Sequence, residues 1–306
     1  MENKTRCGYV TIAGRPNAGK STLLNMLLGQ KIAIATAKPQ TTRKRITGIL
    51  TEEDYQIIFL DTPGIIVPKY LLQEKMMKFV KFSISDADIL LHIIDANQQA
   101  DIEDALSPDF AKQFLSGKRR PTFLLINKID LIKPEDLEAI KVNLEANGGY
   151  AGLLCISALN NDFKETIMNF IVGLLPEHPK YYPDDFVSDE SERFFVSEII
   201  REKILELYRD EIPYSCEVVI EDFKEREANK HFISATIFVE RDSQKIIVIG
   251  RGGDQIKKIG ESARKDIETF LDHQVYLELR VKVRDSWRKN ERYLRNFGYE
   301  NSPEHE

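Results

Sequence analysis

The sequence predicts two domains of different kinds, a doubly wound, mostly parallel α/β sheet over residues 1–176 and a smaller α+β domain over 193–306, joined by a linker at 177–192. Three observations carry this expectation. Near-continuous apolar runs such as Ile89 to Asp95 alternate with segments of helical apolar spacing, the pattern of a sheet covered by helices on both faces. The stretch from Glu177 to Asp185 holds two prolines and no apolar period. Beyond Arg193 the rhythm changes to a helix followed by strands that alternate apolar and polar residues. At 306 residues, 42% hydrophobic and 30% charged, the chain is long enough for two separate cores.

Taken in order, Gly8 to Ala13 reads as a buried strand and Ser21 to Leu28 as a helix. Between them, Gly14-Arg15-Pro16-Asn17-Ala18-Gly19-Lys20-Ser21 matches GxxxxGK[ST]. That spacing lets successive backbone N–H groups curl round a polyphosphate at a helix N-terminus, with glycine wherever a Cβ would block the approach. Gly14 through Thr22 are therefore the nucleotide-binding loop of a P-loop NTPase, with Lys20 charging the outer phosphates and the Ser21 hydroxyl a ligand for Mg²⁺. The polar, proline-marked segment Thr36 to Arg43 follows. A threonine there, Thr42 with Thr41 as the alternative, places its hydroxyl on the metal and orders the loop in the triphosphate state.

Ile46 to Thr51 and Gln56 to Leu60 read as a hairpin whose second strand ends in Asp61-Thr62-Pro63-Gly64, a DxxG pattern. Asp61 holds the metal through water, and the Gly64 N–H bonds the γ-phosphate. The next residue, Ile65, has a side chain that neither donates nor accepts, so it cannot orient an attacking water and slow intrinsic turnover is expected. An amphipathic helix from Lys69 to Ser85 precedes the strand Ile89 to Asp95, in which His92 reads as a core histidine. A helix around Asp104 to Leu115 and a strand from Pro121 to Ile126 lead to Asn127-Lys128-Ile129-Asp130, an NKxD motif. Guanine presents two adjacent donors that one carboxylate accepts, and adenine lacks them, so Asp130 selects guanine; the Lys128 stem lies over the base and Asn127 braces the loops. After a helix from Pro134 to Glu145 and a strand from Gly152 to Ile156, the turn Ser157-Ala158-Leu159 offers backbone N–H groups to guanine O6. A helix from Phe163 to Leu174 closes the domain.

In the second domain, a helix from Phe194 to Leu207, strands over Tyr214 to Phe223 and Phe232 to Glu240, a short segment from Gln244 to Ile249, the turn Gly250-Arg251-Gly252-Gly253, a helix from Asp254 to Leu271 and a strand from Val275 to Val283 give the order of a type II KH module. Its GxxG turn admits a nucleic-acid backbone to main-chain N–H groups, while Arg251, Lys257 and Lys258 add charge. Trp287 and Arg288 in the basic, aromatic tail are candidates for base and phosphate contacts, with anchoring of the last helix as the alternative for Trp287.

The net charge of −6 argues mildly against nucleic acid as a partner, but between Lys245 and Phe297 thirteen Lys and Arg stand against eight Asp and Glu. Three distant cysteines, Cys7, Cys155 and Cys216, fit a reducing compartment and give no metal-ligand spacing, so zinc or haem has no support. No apolar run approaches the roughly 20 residues that span a bilayer, and Met1 to Arg6 leads into the first strand without a secretory segment.

The combination GRPNAGKS, PQTTR, DTPG, NKID, SAL, VIGRGG and DSWRKNERYLRNFGY resembles the bacterial Era GTPases over essentially the whole chain. That resemblance implies a cytoplasmic GTPase, binding GTP, GDP and Mg²⁺, that acts in small-subunit ribosome assembly and whose KH domain binds the 3′ end of small-subunit ribosomal RNA. Relatives with a hydrophobic residue at the position of Ile65 include potassium-activated members with Asn at the position of Asn17, which implies K⁺ as a co-ion. Gly252 is a third glycine within the GxxG turn and is expected to loosen it. A monomer is expected, and peripheral membrane association through the basic tail stays open. So do two other readings: a membrane or signalling GTPase whose second domain binds protein, and an RNA-binding protein that senses GTP with negligible hydrolysis.

Overall fold

The computed structural model describes residues 5–36, 38–115, 120–147, 149–161, 163–226 and 229–299; the expectations for residues 1–4 and 300–306 lie outside the described residues. The described residues form two compact units divided between Asp189 and Glu190, with Lys69–Leu72 grouped with the second. The expected linker, 177–192, thus falls largely within the first unit.

The first unit is built on six strands: β1 (Arg6–Ala13), β2 (Ile46–Thr51), β3 (Tyr55–Asp61), β4 (Ile89–Asp95), β5 (Thr122–Asn127) and β6 (Gly152–Cys155), in the spatial order β2-β3-β1-β4-β5-β6. Only β2 runs antiparallel to its neighbour. β4 is buried at all seven positions, as its unbroken apolar run requires of a central parallel strand. The register sets Ile12 beside Asp61 and Asp95 beside Asn127, so the carboxyl ends of β3, β4 and β5 deliver polar side chains to one edge of the sheet.

Helices α1 (Lys20–Leu28), α2 (Leu71–Asp86), α3 (Gln99–Leu106), α4 (Pro108–Phe110), α5 (Pro134–Asn147) and α6 (Lys164–Leu174) connect or follow these strands. The helix expected over Asp104 to Leu115 begins earlier and is broken. Its first part ends at Ser107, whose hydroxyl accepts from the Phe110 N–H, and Pro108, lacking an N–H, restarts the chain as α4 before a π-helical turn at Ala111–Leu115.

In the second unit, α7 (Glu192–Leu207) and a one-turn helix α8 (Ile212–Ser215) precede β7 (Glu217–Lys224) and β8 (His231–Val239). They are followed by α9 (Asp242–Ile249), α10 (Asp254–Leu271), β9 (Val275–Val283) and α11 (Glu291–Asn296). Pro213 in the first turn of α8 accounts for the late start of β7, which was expected from Tyr214. β8 is central, antiparallel to β7 and parallel to β9. Its inward residues Ile233, Ala235, Ile237 and Val239 are fully buried against Val196, Ile200 and Ile204 of α7 and Ile259, Ala263 and Ile267 of α10, each set at the spacing its element dictates. No helix among the described residues is long and apolar enough to cross a membrane.

His92 is 1% exposed, with Nδ1 2.8 Å from the Tyr150 hydroxyl and its ring stacked on Phe110. Burial, helped by Lys20, pushes its pKa down to about 3. An imidazole that titrates near 6.5 when unfolded and near 3 when folded stabilises fully above pH 6.5 and loses that contribution as pH falls toward 3. Denaturant unfolding at pH 7, 6, 5 and 4 is expected to show stability falling by up to about 1.4 kcal/mol per pH unit from this group. His92→Phe should give a measurably shallower slope over the same window, and equal slopes would contradict a buried neutral histidine.

Candidate nucleotide site and nucleic-acid interface

The loop from Gly14 to Gly19 is wedged against the ends of β4 and β5. A Cβ at Gly14 would lie 2.1 Å from the Ile93 carbonyl oxygen, and one at Gly19, where φ is +106°, would lie 2.1 Å from the Asn127 side-chain nitrogen. Only glycine fits either place. Lys20 is buried, with Nζ donating to the carbonyls of Gly14 at 3.1 Å and Arg15 at 2.7 Å. Desolvation pushes its pKa down to about 8, against the pull of Asp61 and Asp101. No side chain among the described residues caps α1, which leaves its first N–H groups for an anion. A cavity of about 630 Å³ opens here, lined by the loop, Thr42, Gly64 and Lys128 among others.

Three oxygens converge at the foot of this cavity. The Ser21 hydroxyl donates to Asp61 Oδ2 at 2.7 Å and lies 2.9 Å from Thr42 Oγ1, which is itself 3.3 Å from Asp61 Oδ2. Thr41 lines the same cavity, but its hydroxyl is bonded to Thr36 Oγ1 at 2.7 Å and the Lys38 carbonyl at 2.6 Å, so the hydroxyl that joins Ser21 and Asp61 is that of Thr42. Asp61 is fully buried and its Oδ1 has no hydrogen-bond partner among the described residues. Burial raises its pKa to about 6 in spite of Lys20 and the two hydroxyls. A buried carboxylate with an unused oxygen beside two hydroxyls is a hard-oxygen set that suits Mg²⁺. The DxxG turn closes directly over the loop: a Cβ at Gly64 would lie 2.6 Å from the Pro16 nitrogen, and the Ile65 N–H donates to the Gly14 carbonyl at 3.0 Å. The Ile65 side chain is itself buried.

On the base side, Asn127 is 2% exposed and both ends of its amide are used, Nδ2 donating to the Ala18 carbonyl at 2.8 Å and Oδ1 accepting from the Ala158 N–H at 2.9 Å. Of the turn's N–H groups, that of Ala158 is directed at Asn127. Ser157 Oγ donates to Asp130 Oδ1 at 2.6 Å and holds the carboxylate that would read the base, while the Leu159 side chain is exposed. Lys128, at a left-handed φ of +64°, reaches Asp95 Oδ2 at 2.7 Å. Asp95 and Asp101 were not expected in the site. Asp101 accepts from the Asp95 N–H at 2.9 Å and, with Asp104, pairs with Arg15 of the phosphate loop. The signal was present, since Asp95 ends an apolar strand as Asp61 does.

In the second unit, Gly250, Gly252 and Gly253 all have positive φ, at +77°, +63° and +84°, and nothing among the described residues lies within 4 Å of a Cβ placed on the last two. The third glycine, Gly252, is thus one of three positive-φ glycine positions in the turn's four residues. Arg251, Lys257 and Lys258 are exposed, and Lys257 lies 3.9 Å from Glu261. Ile246 and Ile247 of α9, exposed just before this turn, had been indistinguishable from core in an apolar run. Two candidates are corrected. Trp287 is fully buried, its indole nitrogen donating to the Ser215 carbonyl at 2.9 Å and its ring edge-on to Phe297, so it anchors the tail and offers no face to a base. Arg288 is half-buried and its charge is matched by Glu240, which leaves it poorly placed for phosphate.

Comparison with known proteins follows these two halves. A family model described as 50S ribosome-binding GTPase matches residues 9–128, and one described as KH domain matches 211–288. A structure of an Aquifex aeolicus Era variant bound to GDP·AlF4⁻ is 38% identical, superposes with a TM-score of 0.90, and covers 96% of this chain and 99% of its own. A structure of Era with MgGDPNP and nucleotides 1506–1542 of 16S ribosomal RNA is 38% identical with the same coverage and a TM-score of 0.89. Given that likeness along nearly its whole length, the chain belongs to the Era family of GTPases, a P-loop nucleotide domain followed by a C-terminal KH domain.

Proposed function

We propose that this protein is a monomeric, cytoplasmic, Mg²⁺-dependent GTP switch whose KH unit binds the 3′ end of small-subunit ribosomal RNA during assembly of that subunit. The observation that carries the switch is the meeting of Ser21, Thr42 and Asp61 oxygens beside the phosphate loop. Each of the three comes from a different segment, so their joint position reports on what occupies the site. Support for the RNA half comes from the relative that holds MgGDPNP together with 16S ribosomal RNA nucleotides, and from the exposed Arg251, Lys257 and Lys258 around an open glycine turn.

In this reading Lys20 and the backbone N–H groups of Gly14 to Thr22 hold the phosphates, and Asp130, steadied by Ser157, selects guanine. Bound Mg²⁺ supplies charge neutralisation at the outer phosphates. Thr42 and the Gly64 N–H sense the γ-phosphate. With Ile65 buried and unable to orient water, turnover is slow unless RNA or the ribosomal subunit completes the site. Asn17, which lines the cavity at a φ of +66°, is the residue toward which K⁺ would act as co-ion.

Asp130→Asn should move preference from GTP toward xanthosine triphosphate by about 10²-fold or more, read by competition binding; a retained GTP preference would show that another residue reads the base. Gly252→Asp with Gly253→Asp puts two negative charges into open space, at some cost in backbone strain from the positive φ of both positions, and should weaken binding of a 3′-end RNA oligonucleotide by about 100-fold while leaving GTP affinity unchanged. Unchanged RNA affinity would sink the KH assignment. GTP turnover measured with and without that oligonucleotide, in K⁺ and in Na⁺, is expected to rise with RNA and to be faster in K⁺. No RNA response would refute the switch, and equal rates in the two salts would remove K⁺.

A further inference from the structure

The segment Tyr181–Ser188 packs on the hairpin β2–β3 instead of hanging free. It does so mainly through Gln56, a polar side chain with no exposed surface at the start of β3. Gln56 Oε1 accepts from the N–H groups of Tyr181 at 2.8 Å and Tyr182 at 3.0 Å and from the Cys7 thiol at 3.7 Å. Its Nε2 donates to the Tyr182 carbonyl and to Thr51 Oγ1, both at 2.9 Å. Further along, the Ile49 N–H donates to the Val187 carbonyl at 2.9 Å and the Ser188 hydroxyl to the Thr47 carbonyl at 2.6 Å. Thr47 and Ile49 are two apart on the edge strand β2, so one outward carbonyl and one outward N–H of that strand are taken by the same segment, which lies along the sheet edge.

What makes this more than edge cover is where the hairpin leads. Thr42 stands a few residues before β2, Asp61 ends β3, and Ile46 pairs with Asp61 across the ladder. Thr42 in the loop that enters the hairpin and Asp61 at the hairpin's end thus lie at the same end of it, while the third oxygen of the proposed metal site, that of Ser21, is on α1. We infer that Gln56 is a positioning residue for the Mg²⁺ site: together with Val187 and Ser188 it clamps the Tyr181–Ser188 segment to the β2–β3 hairpin and so fixes Thr42 and Asp61 relative to Ser21. The clamp is a buried amide with both ends satisfied, so the hairpin cannot slide along the segment without leaving polar groups unpaired. Because this segment leads out of the first unit toward α7, tension on it would be felt at the metal oxygens, and occupancy of the site would be felt in the segment. This inference rests on the GTPase reading above.

The test uses the full chain with Gln56→Met, which removes every amide bond, Gln56→Glu, which keeps the acceptors for Tyr181 and Tyr182, and Ser188→Ala. Nucleotide affinity without metal should be unchanged. The Mg²⁺ concentration needed to tighten binding of a non-hydrolysable GTP analogue should rise about ten-fold in Gln56→Met and less in Ser188→Ala, with Gln56→Glu between wild type and Gln56→Met. Wild-type Mg²⁺ dependence in all three would overturn the inference and leave the GTPase reading intact, whereas failure of the wild type to bind nucleotide would sink both. Should Gln56→Met fail to fold, hydrogen exchange on the wild type decides. Amides of Ile49, Tyr181 and Tyr182 should exchange about ten-fold differently in the GDP and Mg²⁺·GTP-analogue forms, and equal exchange would overturn the proposal.

Discussion

Both ends of the Asn127 amide are spent on backbone, the nitrogen on the phosphate loop at Ala18 and the oxygen on the turn at Ala158. The side chain is buried, so separating those loops would leave two polar atoms unpaired away from water, at about 1–3 kcal/mol each. The rest of the site is arranged round this joint. Gly19 is glycine because the amide occupies the space of a Cβ, the phosphate loop is held at a fixed distance from the base-reading loops, and Asp130 is set by Ser157, the neighbour of Ala158. Asn127 itself sits where it does because β5 pairs in register with β4, opposite Asp95.

The second constraint is electrostatic. Lys20 and Asp61 are both buried, and each is pushed toward its neutral form, Lys20 down to about 8 and Asp61 up to about 6. Desolvation outweighs their mutual attraction, so the site is charged at a cost. An anionic polyphosphate facing Lys20 and a cation facing Asp61 relieve both penalties at once. That is a physical reason for nucleotide and metal to bind together, and for the Ser21, Thr42 and Asp61 oxygens to respond to what is bound.

The KH unit solves a different problem, presenting positive charge from a chain with a net charge of −6. Exposed Arg251, Lys257 and Lys258 cluster around a turn whose glycines leave room for a backbone. Arg288 neutralises Glu240 and Trp287 closes the core beneath the tail. Trp287 and Arg288 of the tail are thus architecture, while Lys289 and Arg292, like Arg264 and Lys265 on α10, are exposed.

From the sequence alone, the order of strands and helices, the glycine positions, the candidate base-reading aspartate and the candidate switch residues could be picked out, because each depends on local spacing: a period of two or 3.6, a positive φ, a fixed count between a lysine and a glycine. Where a side chain's partner lies far along the chain, spacing says nothing. Thr41 and Thr42 are equivalent on paper, and only the convergence of Ser21 and Asp61 on one hydroxyl separates them. Trp287 reads as an exposed stacker or a buried anchor until Ser215 is found opposite its indole nitrogen. Residues 177–189 look like a free linker because their partners, Gln56, Ile49 and Thr47, lie more than a hundred positions earlier. The elements and the nucleotide-binding motifs were local and therefore legible; which atoms meet at the candidate metal site, at the tail and along the hairpin edge was decided by the fold that brings distant segments together.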